Sequence, residues 1–220
     1  MRTILLDLDG TLIDPLIGIT SSYRAMINEL GLQVPSDEIL RSFIGPPLRE
    51  CIRGLLPENK AVSASDVEEL VVRYRYYYVE QKFMLRDRMY PSIPDVLQQL
   101  SDRGHRLFVA TSKAHLYARV ILQHFGLEKF FARVYGSELN GDRSDKAQLI
   151  AHLIEKEGLK GEDCVMVGDR KHDVRGALAN NMSCIGVTYG YGTAQELKDA
   201  GALAVIAQAE DLPSSVARIS

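Results

Sequence analysis

The chain reads as an α/β protein with a mainly parallel sheet. Short runs of Ile, Val and Leu recur along it, the runs are continuous rather than alternating, and stretches of helical periodicity lie between them. Unbroken apolar runs are what strands look like when both faces are buried, as they are between two layers of helices. Composition agrees with a packed globule: of 220 residues, 46% are hydrophobic and 25% charged. A chain of this length buries a core without staples, so disordered, collagen-like and repeat architectures are excluded.

The expected strands are residues 3–8, 106–110, 133–135, 164–167, 184–187 and 203–207. The helical spacings fall at residues 93–103, 115–125, 146–157, 173–180 and 194–200. One interval breaks the alternation. From about residue 15 to residue 90 there is no buried strand, only helical spacing punctuated by Gly and Pro. Residues 18–30 place Ile19, Tyr23, Met26, Ile27 and Leu30 on one face and stop at Gly31, and Ser65 and Asp66 precede a long helical stretch over 67–85. The expectation is therefore a discontinuous core of residues 1–14 and 91–220, with an all-helical insertion of residues 15–90 and hinges near 14–18 and 86–91.

Lys and Arg number 26 against 29 Asp and Glu, a net charge of -3, so no basic field advertises a nucleic acid polymer or an anionic membrane. Any anion must be met by a local site. The three cysteines, Cys51, Cys164 and Cys184, are odd in number and lack metal-ligand spacing, which makes them reduced core thiols. The N-terminal run lacks the apolar length of a signal peptide, and nowhere do about 18 apolar residues run together. A cytoplasmic protein without membrane contact is expected. No heptad pattern decides between a monomer and a homodimer.

In an open parallel sheet, ligands bind beyond the carboxyl ends of the strands. Four polar sets fall at that edge: Asp7, Asp9, Gly10 and Thr11 at the end of the first strand, Thr111, Ser112 and Lys113 after the second, Gly168 and Asp169 after 164–167, and Lys146 at a helix start. Asp7 ends an apolar run, where a carboxylate is costly unless a cation or hydrogen bonds compensate it. Asp9 follows two residues later, and Gly10 lets the chain turn so that both acids face one point. Two such acids repel unless a cation intervenes. Asp169 adds a third oxygen donor and Asp173 lies one helical turn beyond it. Oxygen ligands without Cys or His point to Mg²⁺, which favours phosphate oxygens as its remaining ligands. Lys146 and the Thr111 hydroxyl then complete a clamp for a dianion, with a helix N-terminus after Lys113 adding attraction. A phosphate monoester is the implied substrate, with Asp7 as nucleophile and Asp9 as the acid that protonates the leaving oxygen and then activates water.

Four stretches in order, DLDGTLID, VATSK, SDKAQLI and VGDRKHDVRGA, resemble the motifs of the haloacid dehalogenase superfamily. The later GVTYGYGTAQELKDAGA and the insertion after the first motif resemble its phosphoglycolate phosphatase-like branch. The resemblance implies a Rossmann-like core, a mobile helical cap over the site and Mg²⁺ dependence. It implies Asp7 as nucleophile, Asp9 as acid and base, and Thr111 and Lys146 as phosphate holders, with Gly10, Ser112 and Lys113 beside them on the substrate. For the metal it implies Asp7, the Asp9 carbonyl, Asp169 and, less directly, Asp173. An aspartate at position 9 speaks against dehalogenation, which in this superfamily does not use that residue.

The insertion segment FIGPPLRE resembles the specificity region of phosphoglycolate phosphatases and of 5'-nucleotidase-like relatives, and it brings Arg49 forward as a substrate contact. Pro15, Ser92 and the pair Asn180 and Asn181 depart from the pattern, the first two at the hinges. Tyr74, Tyr76, Tyr77 and Tyr78 read as helix-face and cap-core residues with hydroxyls at the rim. Gly190, Tyr191 and Gly192 lack dinucleotide-binding spacing. The expectation is a Mg²⁺-dependent phosphatase for a small phosphorylated metabolite, phosphoglycolate-like or a nucleoside 5'-monophosphate. The rival readings are a phosphosugar mutase and a non-catalytic protein that binds a phospho-ligand or a partner.

Overall fold

The computed structural model describes residues 2–56 and 63–219. The chain divides into two compact units, one of Met1–Asp14 with Met89–Ser220 and one of Pro15–Arg88. In chain order the elements are β1 (Thr3–Leu6), β2 (Ile13–Asp14), α1 (Leu16–Glu29), α2 (Asp37–Ser42), α3 (Leu48–Leu55), α4 (Ala64–Arg75), β3 (Arg88–Met89), α5 (Ile93–Asp102), β4 (Arg106–Ala114), α6 (His115–His124), β5 (Arg133–Ser137), α7 (Lys146–Glu157), β6 (Cys164–Gly168), α8 (Lys171–Leu178), β7 (Ser183–Val187), α9 (Ala194–Asp199), β8 (Ala204–Ile206) and α10 (Leu212–Arg218).

The first unit is built on a six-stranded sheet in the order β5-β4-β1-β6-β7-β8, with β2 and β3 forming a separate pair. Every pairing in the large sheet is parallel, and Leu6 at the end of β1 stands between Val109 of β4 and Val167 of β6. β1 is thus the central strand at which the chain order reverses. Leu5, Phe108, Ala110, Met166 and Cys184 form one core cluster with Leu149 and Leu153 of α7, Val174 and Ala177 of α8 and Leu197 of α9. The alternate residues Ile4, Leu6, Leu107, Val109, Val165 and Val167 are buried as well, so the sheet is covered on both faces. This is the Rossmann-like architecture that continuous apolar runs require.

The second unit is helical. Tyr23 of α1 packs at ring-centre distances of 5.2 Å on Phe43 and 4.6 Å on Tyr74, and Tyr74 stacks on Tyr78 at 5.5 Å. Tyr74 and Tyr78 are buried while Tyr76 is 50% exposed, so the tyrosine run splits between core and rim. The long helix expected over residues 67–85 does not persist. It ends as α4 at Arg75, passes through one π-helical turn at Tyr76–Glu80, and reaches a left-handed Lys82 and a 3₁₀ turn at Phe83–Arg86. Pro15 gives α1 no side-chain cap, and Asp87 Oδ1 instead accepts the Gly18 N–H at 2.8 Å.

All three cysteine thiols are buried and unbonded to one another. Among the described residues no helix is long and apolar enough to cross a membrane.

Candidate active site

The carboxyl ends of β1, β4 and β6 bring the polar residues together. Asp7 directly follows β1, and its N–H donates to the Val167 carbonyl at 2.9 Å, so the sheet fixes its main chain. Its buried carboxylate accepts the Leu8 N–H at 2.8 Å through Oδ1, which also lies 3.0 Å from Lys146 Nζ.

Lys146 opens α7 behind Asp145, whose side chain caps the helix by accepting the Gln148 N–H at 2.9 Å. Its ammonium is almost wholly buried, lies 2.7 Å from Asp173 Oδ1 and donates to the Ala110 carbonyl at 2.9 Å. Burial opposes this charge, but the Asp173 and Asp7 carboxylates outweigh it and hold the ammonium above the ordinary lysine range. Asp173 is held in turn by the Arg170 N–H at 3.1 Å. Burial lifts its carboxyl to about 6 against the pull of Lys146.

Asp169 follows β6, with Oδ2 accepting the Tyr191 N–H at 2.7 Å. Oδ1 is buried and accepts no hydrogen bond from the described residues. Burial, and then the charges of Asp173 and Asp7, keep this carboxyl well above its usual range. The turn after β1 is cut to fit it. Gly10 has φ +78°, and a Cβ there would stand 2.1 Å from Asp169 Oδ2, so a side chain is barred by both conformation and space. A Cβ on Gly190 would meet the same oxygen at 2.5 Å.

Asp7, Asp169 and Asp173 each bring a carboxylate oxygen within 4.8 Å of the others. Among the described residues three carboxylates face the ammonium of Lys146, so when all are ionised this buried cluster carries more negative than positive charge. A divalent cation with hard oxygen ligands fits both that deficit and the orphaned Asp169 oxygen.

Asp9, for which the resemblance implies only the main-chain carbonyl as a metal ligand, brings no carboxylate to this cluster. Its side chain turns instead to Lys113, whose ammonium donates to Oδ1 at 2.7 Å. Burial raises the Asp9 carboxyl and Lys113 draws it back. Thr111 is buried at the end of the regular part of β4, where its hydroxyl accepts the Lys113 N–H at 3.2 Å, and the Ser112 carbonyl accepts the Ser137 hydroxyl at 2.9 Å. In the helical unit, Arg49 donates to both oxygens of Glu68, at 2.5 and 2.8 Å. Arg170 donates to Glu196 at 3.0 Å.

Sequence patterns did not reveal that the segment after β7 supports the site through the Tyr191 N–H. A main-chain donor leaves no side-chain signature. The spacing of Gly190 and Gly192 is the trace it leaves, since a Cβ on Gly192 would lie 1.9 Å from the Asp169 carbonyl oxygen.

The model of the haloacid dehalogenase-like hydrolases matches residues 4–187. The chain belongs to that family. This hydrolase is 43% identical over 195 residues to a 5'-nucleotidase of Pseudomonas aeruginosa, covering 89% of this chain and 86% of the relative. It is 38% identical over 193 residues to the tyrosine-protein kinase PtkA of Mycobacterium tuberculosis, covering 88% of this chain but 64% of that protein. A crystal structure of a predicted phosphatase from Clostridium acetobutylicum superposes with a TM-score of 0.91 at 36% identity, over 98% of each chain.

Proposed function

We propose that this phosphatase of the haloacid dehalogenase type hydrolyses the phosphate monoester of a small metabolite, a nucleoside 5'-monophosphate before phosphoglycolate, through a phospho-Asp7 intermediate. The observation that carries the chemistry is the buried cluster of Asp7, Asp169 and Asp173 around Lys146. The preference for a nucleotide is supported by the 5'-nucleotidase among the relatives.

Asp7, Asp169 and Asp173, with the main-chain carbonyl of Asp9, are the groups that would hold Mg²⁺. When bound, the ion supplies charge stabilisation to a phosphoryl group and offsets the repulsion between that dianion and the acids. Lys146 and the Thr111 hydroxyl hold the phosphoryl oxygens, with the Ser112 main chain beside them. Lys146 also keeps Asp7 in place, because its contacts to Asp173 and Ala110 leave the ammonium one position. Asp7 forms the bond to phosphorus. Asp9 gives a proton to the leaving oxygen and then takes one from the water that releases phosphate from Asp7. The three buried cysteines, none of them in a disulfide, support a reducing, cytoplasmic setting.

The test is a comparison of kcat/KM for nucleoside 5'-monophosphates and phosphoglycolate at fixed Mg²⁺, with Asp7→Asn as control. Tenfold discrimination corresponds to about 1.4 kcal/mol of transition-state stabilisation. A preference for phosphoglycolate would overturn the substrate assignment, and activity retained in Asp7→Asn would overturn the mechanism. Transfer to a hydroxyl other than that of water is a second reading, supported by the relative named as a tyrosine-protein kinase. It requires substrate loss without matching release of inorganic phosphate.

A further inference from the structure

β4 does not run evenly to its end. Against β5, Thr111 stands opposite Gly136 and Ala114 opposite Ser137, so Ser112 and Lys113 are extra residues bulged from the ladder. A bulge re-aims the side chains it carries. Three neighbours are fitted to this one. A Cβ on Gly136 would lie 2.4 Å from the Lys113 carbonyl oxygen, the Ser137 hydroxyl grips the Ser112 carbonyl, and the Thr111 hydroxyl accepts the Lys113 N–H. The result is that Lys113 is turned to the loop after β1, where its ammonium, 8% exposed, meets Asp9 Oδ1. The contact is made through Oδ1 alone of the two carboxyl oxygens.

We propose that Lys113 is a positioning residue for Asp9. By gripping Oδ1 it fixes the carboxyl so that Oδ2 is the oxygen that exchanges a proton with the leaving group. This rests on the role of Asp9 given above. In the step concerned, the bond from Asp7 to phosphorus forms and the bond from phosphorus to the leaving oxygen breaks. The Oδ2 proton passes to that oxygen, which departs as a neutral alcohol. Asp9, then a carboxylate, accepts the proton of the water that attacks phospho-Asp7, and the products are inorganic phosphate and the Asp7 carboxylate. Orientation of this kind matters because proton transfer needs the donor within hydrogen-bond reach of one defined atom.

An ammonium serving only to bind phosphate would help every monoester equally. One acting through Asp9 helps most where the leaving group needs the proton. An alkyl monoester expels a basic alkoxide, whereas p-nitrophenyl phosphate expels a stabilised phenolate.

The experiment measures kcat and KM for a nucleoside 5'-monophosphate and for p-nitrophenyl phosphate with the wild type, Lys113→Met, Lys113→Arg and Asp9→Asn, all at saturating Mg²⁺. Lys113→Met is expected to lose about tenfold more kcat/KM on the alkyl ester than on the aryl ester, chiefly in kcat, as loss of general-acid assistance requires. Lys113→Arg should recover part of it. In an Asp9→Asn background, Lys113→Met should add no further leaving-group dependence. Equal losses on both esters, carried by KM, would make Lys113 a phosphate contact and overturn the proposal. Should Asp9→Asn itself lose equally on both esters, the role of Asp9 falls and the proposal with it. A leaving-group-selective loss in Asp9→Asn beside a uniform loss in Lys113→Met overturns the proposal alone. If Lys113→Met fails to fold, Lys113→Gln gives the same comparison.

Discussion

Asp169 takes the Tyr191 N–H on one carboxylate oxygen at 2.7 Å, and its other oxygen is buried with no hydrogen-bond partner among the described residues. A native interior rarely leaves a carboxylate oxygen in that state, because desolvation is then uncompensated. The Mg²⁺ proposed above would supply the missing partner. Mg²⁺ should therefore stabilise the fold, by about 2.7 kcal/mol at a concentration a hundred times its Kd. Thermal melting with and without Mg²⁺ reads this directly, and Asp169→Asn should abolish most of the shift. An identical melting temperature in chelator and in excess Mg²⁺ would remove the ion from the account.

The ammonium of Lys146 lies between Asp7 and Asp173 and is buried with both. Lys146→Met should cost about 3–5 kcal/mol in the metal-free protein, the usual penalty for breaking a buried pair from one side. Denaturant titration measures the loss. Mg²⁺ should recover part of the stability but not the activity, since the phosphoryl group would still lack its cation. A variant as stable as the wild type would show that the pair contributes little.

The position of Gly10 against Asp169 makes the chemistry sensitive to a single methyl group. Gly10→Ala adds a Cβ that would lie 2.1 Å from Asp169 Oδ2 in a left-handed conformation. Turnover should fall at least about a hundredfold, the scale on which small misplacements act, while circular dichroism still shows the fold. Unchanged kcat would mean that the turn after β1 does not set the position of Asp169.

A second ionic cluster stands at the opposite end of β4 and β5. Glu157 accepts the Tyr135 hydroxyl at 2.6 Å and lies 3.0 Å from Arg133 and 2.5 Å from Arg106. The Tyr135 hydrogen bond, and after it the two arginines against the cost of burial, hold the Glu157 carboxyl below its ordinary value of 4.5. A depressed carboxyl binds fewer protons folded than unfolded. Its stabilisation is therefore present above the unfolded value and lost as pH falls through the folded one. The gap in melting temperature between the wild type and Glu157→Gln should be largest near neutral pH and close on acidification below about 4. A gap independent of pH would assign the effect to packing alone.

Local chemistry decided what could be seen in the sequence. α7 spans the expected residues because both ends are marked, by the Asp145 cap and by a left-handed Gly158 after Glu157. β4 extends past the expected end at Ala110 to Ala114, since Thr111, Ser112 and Lys113 read as a turn and only pairing with β5 holds them in the sheet. The break after Arg75 was not visible, because tyrosines and apolar residues keep helical spacing through the π turn with no Gly or Pro to mark it. In the site, motifs identify Asp7, Lys146, Asp169 and Asp173 as residues that converge. They do not tell that the Asp9 carboxylate faces Lys113 and not the other acids, because a bulge in a neighbouring strand decides that.

The central claim is that the phosphoryl group passes through Asp7. Rapid acid quench of the enzyme during turnover of a radiolabelled nucleoside 5'-monophosphate, followed by peptide mapping, tests it most directly. The account predicts an acyl phosphate on the peptide that contains Asp7, formed and discharged at rates consistent with kcat and absent in Asp7→Asn. Label on another residue, or acyl phosphate that still forms in Asp7→Asn, would contradict it.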